Sequence, residues 1–378
     1  MHATLIGLAF ALAPGLPDAP ESVETVNATV PPAAAAPVYA IKATTVVVGD
    51  GNVLENGIVV VEGARIRDVG VGLTLPDGIH LVEHDGVLTA GMVAPQSNLL
   101  PSSERNDSTR PFLEGAELVH GFDPAASACE KAAAAGITTA VLTPSPTNVV
   151  GGLAAAVKTH GGTVVDGRTH LALSMNSAAA NSSRYPTSFS AVVAELDARL
   201  GDGAEGAYAE ASAGTLPVLI AATTEADAQR AMALAVRHNL KGALLGARRV
   251  GEHQVEALRA SGLAVVFDSF GPGLGERSIK AMVAVADAGL PFAFELTDAT
   301  RFRFSGAALV RAGADAGTVW GAMTSGAAQI AGVGDRVGTL RRGLDADLLL
   351  WSGHPLDLTS ELEAVYVGGE RVLGGDDQ

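Results

Sequence analysis

The chain has 378 residues, of which 48% are hydrophobic and 4% aromatic, and its formal net charge is −16 at pH 7. This length is sufficient for one large domain and a smaller one. A strongly acidic chain without a basic stripe is repelled by phosphate backbones, which excludes nucleic-acid binding. No apolar run approaches the ~20 residues that span a bilayer, and the single cysteine, Cys129, excludes an intrachain disulfide and a cysteine-based zinc site.

The first 37 residues differ from the rest of the chain. Residues 3–13 form an apolar stretch before Pro14, with the length of a signal-peptide core, but no lysine or arginine precedes Lys42. The following residues are rich in proline and alanine, which is typical of an extended linker. We therefore predict an export signal with a linker, or a plain tail, over 1–37. An exported or periplasmic location and a cytoplasmic one both stay open.

Both ends of the remaining chain are rich in β-branched residues and turn-forming glycine, aspartate and asparagine. Neither end has enough strands to bury a face alone. We predict that they join in one small β-sandwich domain, built from residues 38–89 and 338–378. The predicted strands cover 43–49, 57–62, 64–69, 346–351, 364–368 and 370–373.

The middle of the chain, over 90–337, alternates short buried strands with alanine-rich helices. Such alternation implies parallel strand–helix–strand units, so the fold class is α/β. About eight strands in roughly 250 residues predict a (β/α)8 barrel of the TIM type, with a doubly wound sheet as the alternative. The predicted strands cover 92–94, 138–142, 155–165, 169–174, 216–221, 242–245, 263–267 and 291–294. The predicted helices cover 123–135, 189–200, 225–238, 252–261 and 276–288.

Two segments resemble a known family. Residues 338–357, with Gly-Leu-Asp-Ala-Asp-Leu-Leu-Leu over 343–350, resemble the C-terminal signature of the amidohydrolase superfamily, and 363–372 continues it. Residues 135–144 with 148–152 are similar to its imidazolonepropionase-like branch. The resemblance covers about 40–373. It implies a metal-dependent hydrolase barrel that cleaves C–N bonds of cyclic amides or small peptides.

The family's metal ligands are missing from the matching positions. Amides stand where the two histidines of the first barrel strand belong, and neutral amides are poor zinc ligands beside imidazole. A histidine replaces the bridging lysine, and Asp298 lies one residue late for the carboxylate of the eighth strand. No metal is therefore expected, and His170 with Asp298 would be the ligands if zinc bound. We expect the residues at and beside these former ligand positions to line one cavity: Gln96, Asn98, His170, Ala221, Gly246, Glu295 and Asp298.

Two functions follow from the resemblance and these losses. The first is a degenerate amidohydrolase without metal-dependent catalysis. It would act as a binding or partner subunit for a small polar ligand, an active paralogue or a second copy of the chain. The alternative is an active hydrolase of C–N bonds with a rebuilt mononuclear or metal-free site, for example with His170, Glu295 and Asp298, in which Asp298 is the catalytic residue. Zinc is a cofactor only in that second case, so the sequence leaves open whether the chain is an enzyme.

Overall fold

The strands of the chain fall into two sheets in a computed structural model, which describes residues 37–107, 109–246, 250 and 252–374. The prediction of an export signal and linker falls, except for residue 37, outside the described residues. Seven strands form the first sheet and eight form the second.

Strands from both chain ends form the seven-stranded sheet, in the order β15-β14-β13-β4-β1-β2-β3. The sheet curls, because Ile66 at its β3 edge donates its N–H to Leu344 O (2.8 Å), in the segment that leads into β13. The division of the chain into a two-layered sandwich domain and a barrel domain stays a prediction. The strands are β1 (Val38–Val47), β2 (Val53–Glu62), β3 (Arg65–Val71), β4 (His80–Ala90), β13 (Leu348–Trp351), β14 (Leu362–Val367) and β15 (Glu370–Leu373).

The eight-stranded sheet closes into a barrel, which rules out the doubly wound alternative. Leu296, just after the last strand, donates its N–H to Gln96 O in the first (2.8 Å) and accepts from Asn98 N (3.2 Å). The later strands are continuous apolar runs, as parallel strands buried on both faces require. The strands are β5 (Met92–Ser97), β6 (Ile137–Leu142), β7 (Val150–Lys158), β8 (Val164–Ser174), β9 (Val218–Ala221), β10 (Gly242–Leu245), β11 (Ala264–Phe267) and β12 (Phe292–Phe294).

One barrel strand departs from the (β/α)8 prediction. β7 is antiparallel to both β6 and β8, and no helix lies in either connection. The predicted single strand over 155–165 is wrong, because Gly161 and Gly162 adopt positive φ (73° and 70°) and turn the chain between β7 and β8. The barrel therefore has eight strands but not eight strand–helix repeats.

The remaining connections are helical. α4 begins after a capping box, in which Thr224 and Asp227 each bond the other's backbone N–H. Its buried positions, including Ala228, Ala231 and Ala235, recur at helical spacing. Within the described part of the chain, no helix could cross a membrane. The helices are α1 (Ser127–Ala134), α2 (Phe189–Leu200), α3 (Gly206–Ser212), α4 (Glu225–His238), α5 (Val255–Ser261), α6 (Glu276–Asp287), α7 (Ala299–Arg311), α8 (Ala316–Gly321) and α9 (Ser325–Ile330), with 3-10 turns at Leu118–Gly121, Ser177–Ala179 and Glu252–Gln254.

Apolar side chains fill the inside of the barrel. Val93, Leu219 and Val266 belong to one buried cluster with Ala327 and Ala331, so α9 packs into the same core. α9 contacts β5 and β12, and the preceding Met323 accepts the N–H of Val93 near the start of β5 (2.8 Å). The amino ends of the strands are therefore covered, and polar residues gather at the carboxyl ends.

A buried ion cluster joins the two sheets. The Lys158 ammonium at the end of β7 lies 2.6 Å from Asp347 Oδ2 and 3.0 Å from Asp345 Oδ2, and all three side chains are at most 5% exposed. Arg65 and Arg336 also pair with Asp345. Burial alone would raise the pKa of Asp345, but the charges of Lys158 and Arg336 outweigh it and lower that pKa.

Removing the ammonium should destabilise the protein strongly. Lys158→Ala leaves two buried carboxylates without their shared cation, so we expect the free energy of unfolding to fall by about 3–5 kcal/mol. Urea titration followed by circular dichroism measures the change. Lys280→Ala is the control, because its pair with Glu276 is exposed and should contribute nothing measurable. Equal effects of the two substitutions would contradict the role of the cluster.

Candidate functional site

Polar residues collect where the barrel strands end. Adjacent strands bring these ends together: Glu295 donates its N–H to Phe267 O (2.9 Å), and Gly246 donates to Val266 O (3.2 Å). Active sites of such barrels lie at this face. We call the following set the barrel mouth: Gln96, Ala221, Thr223, Gly246, Asp268 and Glu295.

Two carboxylates at the mouth face the barrel axis. Side chains alternate along a strand, so Glu295 shares a face with Ala293 and Asp268 with Val266, both of which belong to the interior cluster. These carboxylates follow the neighbouring strands β12 and β11. Glu295 was predicted from the sequence and Asp268 was not, although the signal for Asp268 was its place at the carboxyl end of a correctly located strand.

Small residues leave room beside Asp268. Gly246 has φ +72°, and a Cβ there would lie 3.5 Å from Thr223 Cγ2 and 3.6 Å from Asp268 Oδ1. The Thr223 hydroxyl accepts a hydrogen bond from Asn176 Nδ2 (2.9 Å). Ala221 lines a cavity of about 20 Å³, enough for one water molecule. Consecutive strand ends thus present a hydroxyl, a bare backbone and a carboxylate.

The two amides of the first strand separate. The register between β5 and β6 shifts between Ala94 and Ser97, which places Gln96 within the shifted segment. Gln96 Oε1 is buried and has no hydrogen-bond partner in the described part of the chain. Asn98 instead donates to Thr297 O (3.3 Å) and lines a groove of about 630 Å³ between α1 and the start of α7.

His170 lies deeper in the barrel than the mouth. His170 and Ala172 lie on the same face of β8. His170 is two residues, ~6.6 Å along the strand, nearer the amino end than Ala172. A Cβ on Gly332, just beyond α9, would lie 3.6 Å from His170 Cε1. Burial lowers the pKa of His170 to about 4, so the imidazole is neutral at pH 7. His170 thus lies nearer the amino ends of the barrel strands, and its sharing a cavity with Gln96 and Glu295 stays a prediction.

Asp298 is a helix cap. Its Oδ1 accepts hydrogen bonds from Thr300 N (3.0 Å) and Thr300 Oγ1 (2.7 Å) at the start of α7, and Oδ2 lies 3.1 Å from Arg301 Nε. The hydrogen bonds from Thr300, with the charge of Arg301, lower the pKa of Asp298. Both carboxylate oxygens of Asp298 therefore have partners within α7. Glu295, and not Asp298, is the acidic residue that directly follows β12.

Arg105 lies beside the barrel mouth and was not predicted from the sequence. It lies in the long connection after β5, and its carbonyl accepts the N–H of Ser145 after β6 (2.8 Å). Burial lowers the pKa of Arg105, and the charge of Glu295 opposes that shift, so the two side chains interact. Arg105 Nε is buried without a partner within the described residues. Gln96 Oε1 and Arg105 Nε are thus two buried polar atoms that have no hydrogen-bond partner among the described residues.

These residues do not fit the metal pair that the resemblance implies. Ala221 and Gly246 carry no donor atoms, the amide of Gln96 is a weak one, and His170 lies too deep. Over residues 37–107, 109–246, 250 and 252–374, no three histidine, cysteine or acidic side chains are grouped so that they could hold a metal ion.

Comparisons with known proteins agree with the fold. No family model and no curated protein matches the chain. Among solved structures, an amidohydrolase from Thermotoga maritima MSB8 is 20% identical, with TM-score 0.75 over 89% of this chain and 100% of its own. Ochratoxinase of A. niger is 16% identical (TM-score 0.60, over 90% and 97%). Molinate hydrolase is 14% identical (TM-score 0.59, over 89% and 95%). At these identities the likeness shows the fold, and at that level the predicted resemblance is confirmed.

Replacing Asp298 tests whether it is a cap. Asp298→Ala should cost about 1 kcal/mol of unfolding free energy at pH 7, and Asp298→Ser should recover most of it. Because the folded pKa is lowered, the stabilisation is present above the ordinary pKa and is lost as the pH falls through the folded value. The difference between wild type and Asp298→Ala in urea titrations should therefore shrink below about pH 4. A stability unaffected by Asp298→Ala at pH 7 would contradict the capping role.

Proposed function

Because the chain has the amidohydrolase fold, we propose that it binds a small anionic ligand at the barrel mouth and does not carry out metal-dependent hydrolysis. The observation that carries this proposal is the donor set at the strand ends, where an amide, an alanine and a glycine stand at Gln96, Ala221 and Gly246. The solved structures with this fold include enzymes named as hydrolases. In this proposal the chain binds its ligand at the carboxyl ends of the barrel strands without a metal or another cofactor.

Two unused polar atoms support a ligand with a specific pattern of groups. A buried donor or acceptor without a partner costs about 1–3 kcal/mol, which a ligand can recover. Arg105 Nε–H would donate to a carboxylate, and Gln96 Oε1 would accept from an N–H group. The ligand class is therefore a small molecule that carries both a carboxylate and an amide or amine N–H.

The chemistry that remains at the mouth is recognition. Arg105 supplies the positive charge, and Thr223 and the backbone at Gly246 supply neutral polar contacts. Glu295 holds Arg105 electrostatically while the site is free. The same surface could serve a partner subunit, either an active paralogue or a second copy of the chain, and we include that role in the proposal.

A second candidate is a hydrolase of C–N bonds with a metal-free site. It is favoured by Asp268 and Glu295, which end neighbouring strands and could divide the roles of general acid and base. The rebuilt site that the sequence suggests, with His170, Glu295 and Asp298, has less support, since His170 lies deeper in the barrel and Asp298 caps α7. Hydrolysis of N-acetylated amino acid amides to the N-acetylated amino acids and ammonia would favour this candidate.

Metal content tests the loss of the ligands. Protein purified without added metal and dialysed first against zinc and then against buffer should hold well under one equivalent of zinc by elemental analysis. Zinc retained in stoichiometric amounts through treatment with a chelator would contradict the proposal, because the described donors could not then be the whole site.

Ligand chemistry is tested with N-acetylglycine, which carries a carboxylate and an amide N–H. Calorimetric titration should detect binding to wild type, and Arg105→Gln should weaken it at least about tenfold through loss of a charge-assisted hydrogen bond. N-acetylglycinamide lacks the negative charge, so wild type should bind it about as weakly as Arg105→Gln binds N-acetylglycine. Arg168→Gln is the matched control, because Arg168 pairs with Glu210 near the other end of β8. Equal binding of acid and amide would overturn the proposed ligand class.

A further inference from the structure

Three loops at the barrel mouth share one guanidinium group. They follow β5 (98–117), β6 (143–149) and β8 (175–188). Arg184 of the third loop donates from Nη2 to Thr147 O (2.8 Å) and Asn148 Oδ1 (2.6 Å) in the second, and from Nη1 to Asp107 O (3.3 Å) in the first. A single side chain therefore bonds both of the other loops.

The second loop in turn holds the residues around Arg105. Asn148, only 2% exposed, donates from Nδ2 to the same Asp107 carbonyl (3.1 Å). Thr147 Oγ1 donates to Asn106 Oδ1 (2.8 Å), and Ser145 N donates to Arg105 O (2.8 Å). The second loop, which accepts hydrogen bonds from Arg184, thus holds three consecutive residues of the first loop, 105–107.

The loop that carries Arg184 is itself anchored. Tyr185 Oη donates to Glu195 Oε1 on α2 (2.6 Å), and Asn176 Nδ2 donates to Thr223 Oγ1 after β9 (2.9 Å). The Arg184 side chain is half-buried and its Nε is enclosed by the protein. The guanidinium therefore projects from a fixed base and not from a free loop tip.

We infer that Arg184 is a positioning residue, which sets the place of the Arg105 side chain at the mouth by joining the three loops. Its role in ligand binding rests on the proposed function, whereas its role in holding the loops does not. A lysine has the charge but lacks the planar fork that reaches two loops at once. The inference therefore predicts that Arg184→Lys rescues the contacts only in part.

Amide hydrogen exchange measured by mass spectrometry tests the inference on the full chain. In Arg184→Gln, peptides covering 104–107 and 145–149 should exchange about tenfold or more faster than in wild type, with Arg184→Lys between them. Peptides from β9 to β12 should be unchanged, and the control Arg168→Gln should leave the mouth unchanged. Exchange at 104–107 and 145–149 equal to wild type in Arg184→Gln would overturn the inference.

Titration with N-acetylglycine separates this inference from the proposed function. If wild type binds, Arg184→Gln should weaken binding about tenfold with Arg105 still present, and unchanged affinity would overturn the positioning role. If wild type does not bind, the proposed function fails, and the exchange comparison alone still decides whether Arg184 joins the loops.

Discussion

The buried ammonium of Lys158 is the constraint on which the arrangement of the two sheets depends. A charge removed from water costs several kcal/mol unless it is paired, so the end of β7 must lie where Asp345 and Asp347 can meet it. Asp347 also accepts the N–H of Gly368 and the hydroxyl of Thr138 near the start of β6. The cluster therefore fixes the sheet of the chain ends against the amino ends of the barrel strands. The segment that carried the family resemblance, around 343–350, supplies this joint, and the proposed binding site lies at the opposite end of the barrel.

The elements with strong local signals could be predicted closely. α2 and α4 begin and end as predicted, because Ser188 and Thr224 cap them and their buried residues recur at helical spacing. The antiparallel pair of strands β7 and β8 could not be predicted from the sequence. Residues 151–156 are glycine, leucine and alanine, which have weak strand preference apart from Leu153, and the direction of a strand is set by long-range pairing. The Gly161–Gly162 turn was the one local signal for the reversal.

The candidate site could be predicted only in part. Locating the strand ends was enough to place Gln96, Ala221, Gly246 and Glu295 at one face. It was not enough for His170, since residues two apart share a face of a strand but lie at different depths. Asp298 also follows this strand, and its bonds to Thr300 show a capping role only in three dimensions, so a catalytic role for it stays a prediction. Arg105 comes from a long connection, and its interaction with Glu295 joins residues 190 positions apart.

Under the proposed function, this barrel has a binding face but not the ligands for a metal. Anomalous diffraction at the zinc absorption edge, from crystals grown with zinc and N-acetylglycine, tests this most directly. We expect density for the small molecule between Arg105 and Gln96 and no anomalous peak at the barrel mouth. A zinc peak coordinated by Glu295, Asp268 or His170 would contradict it.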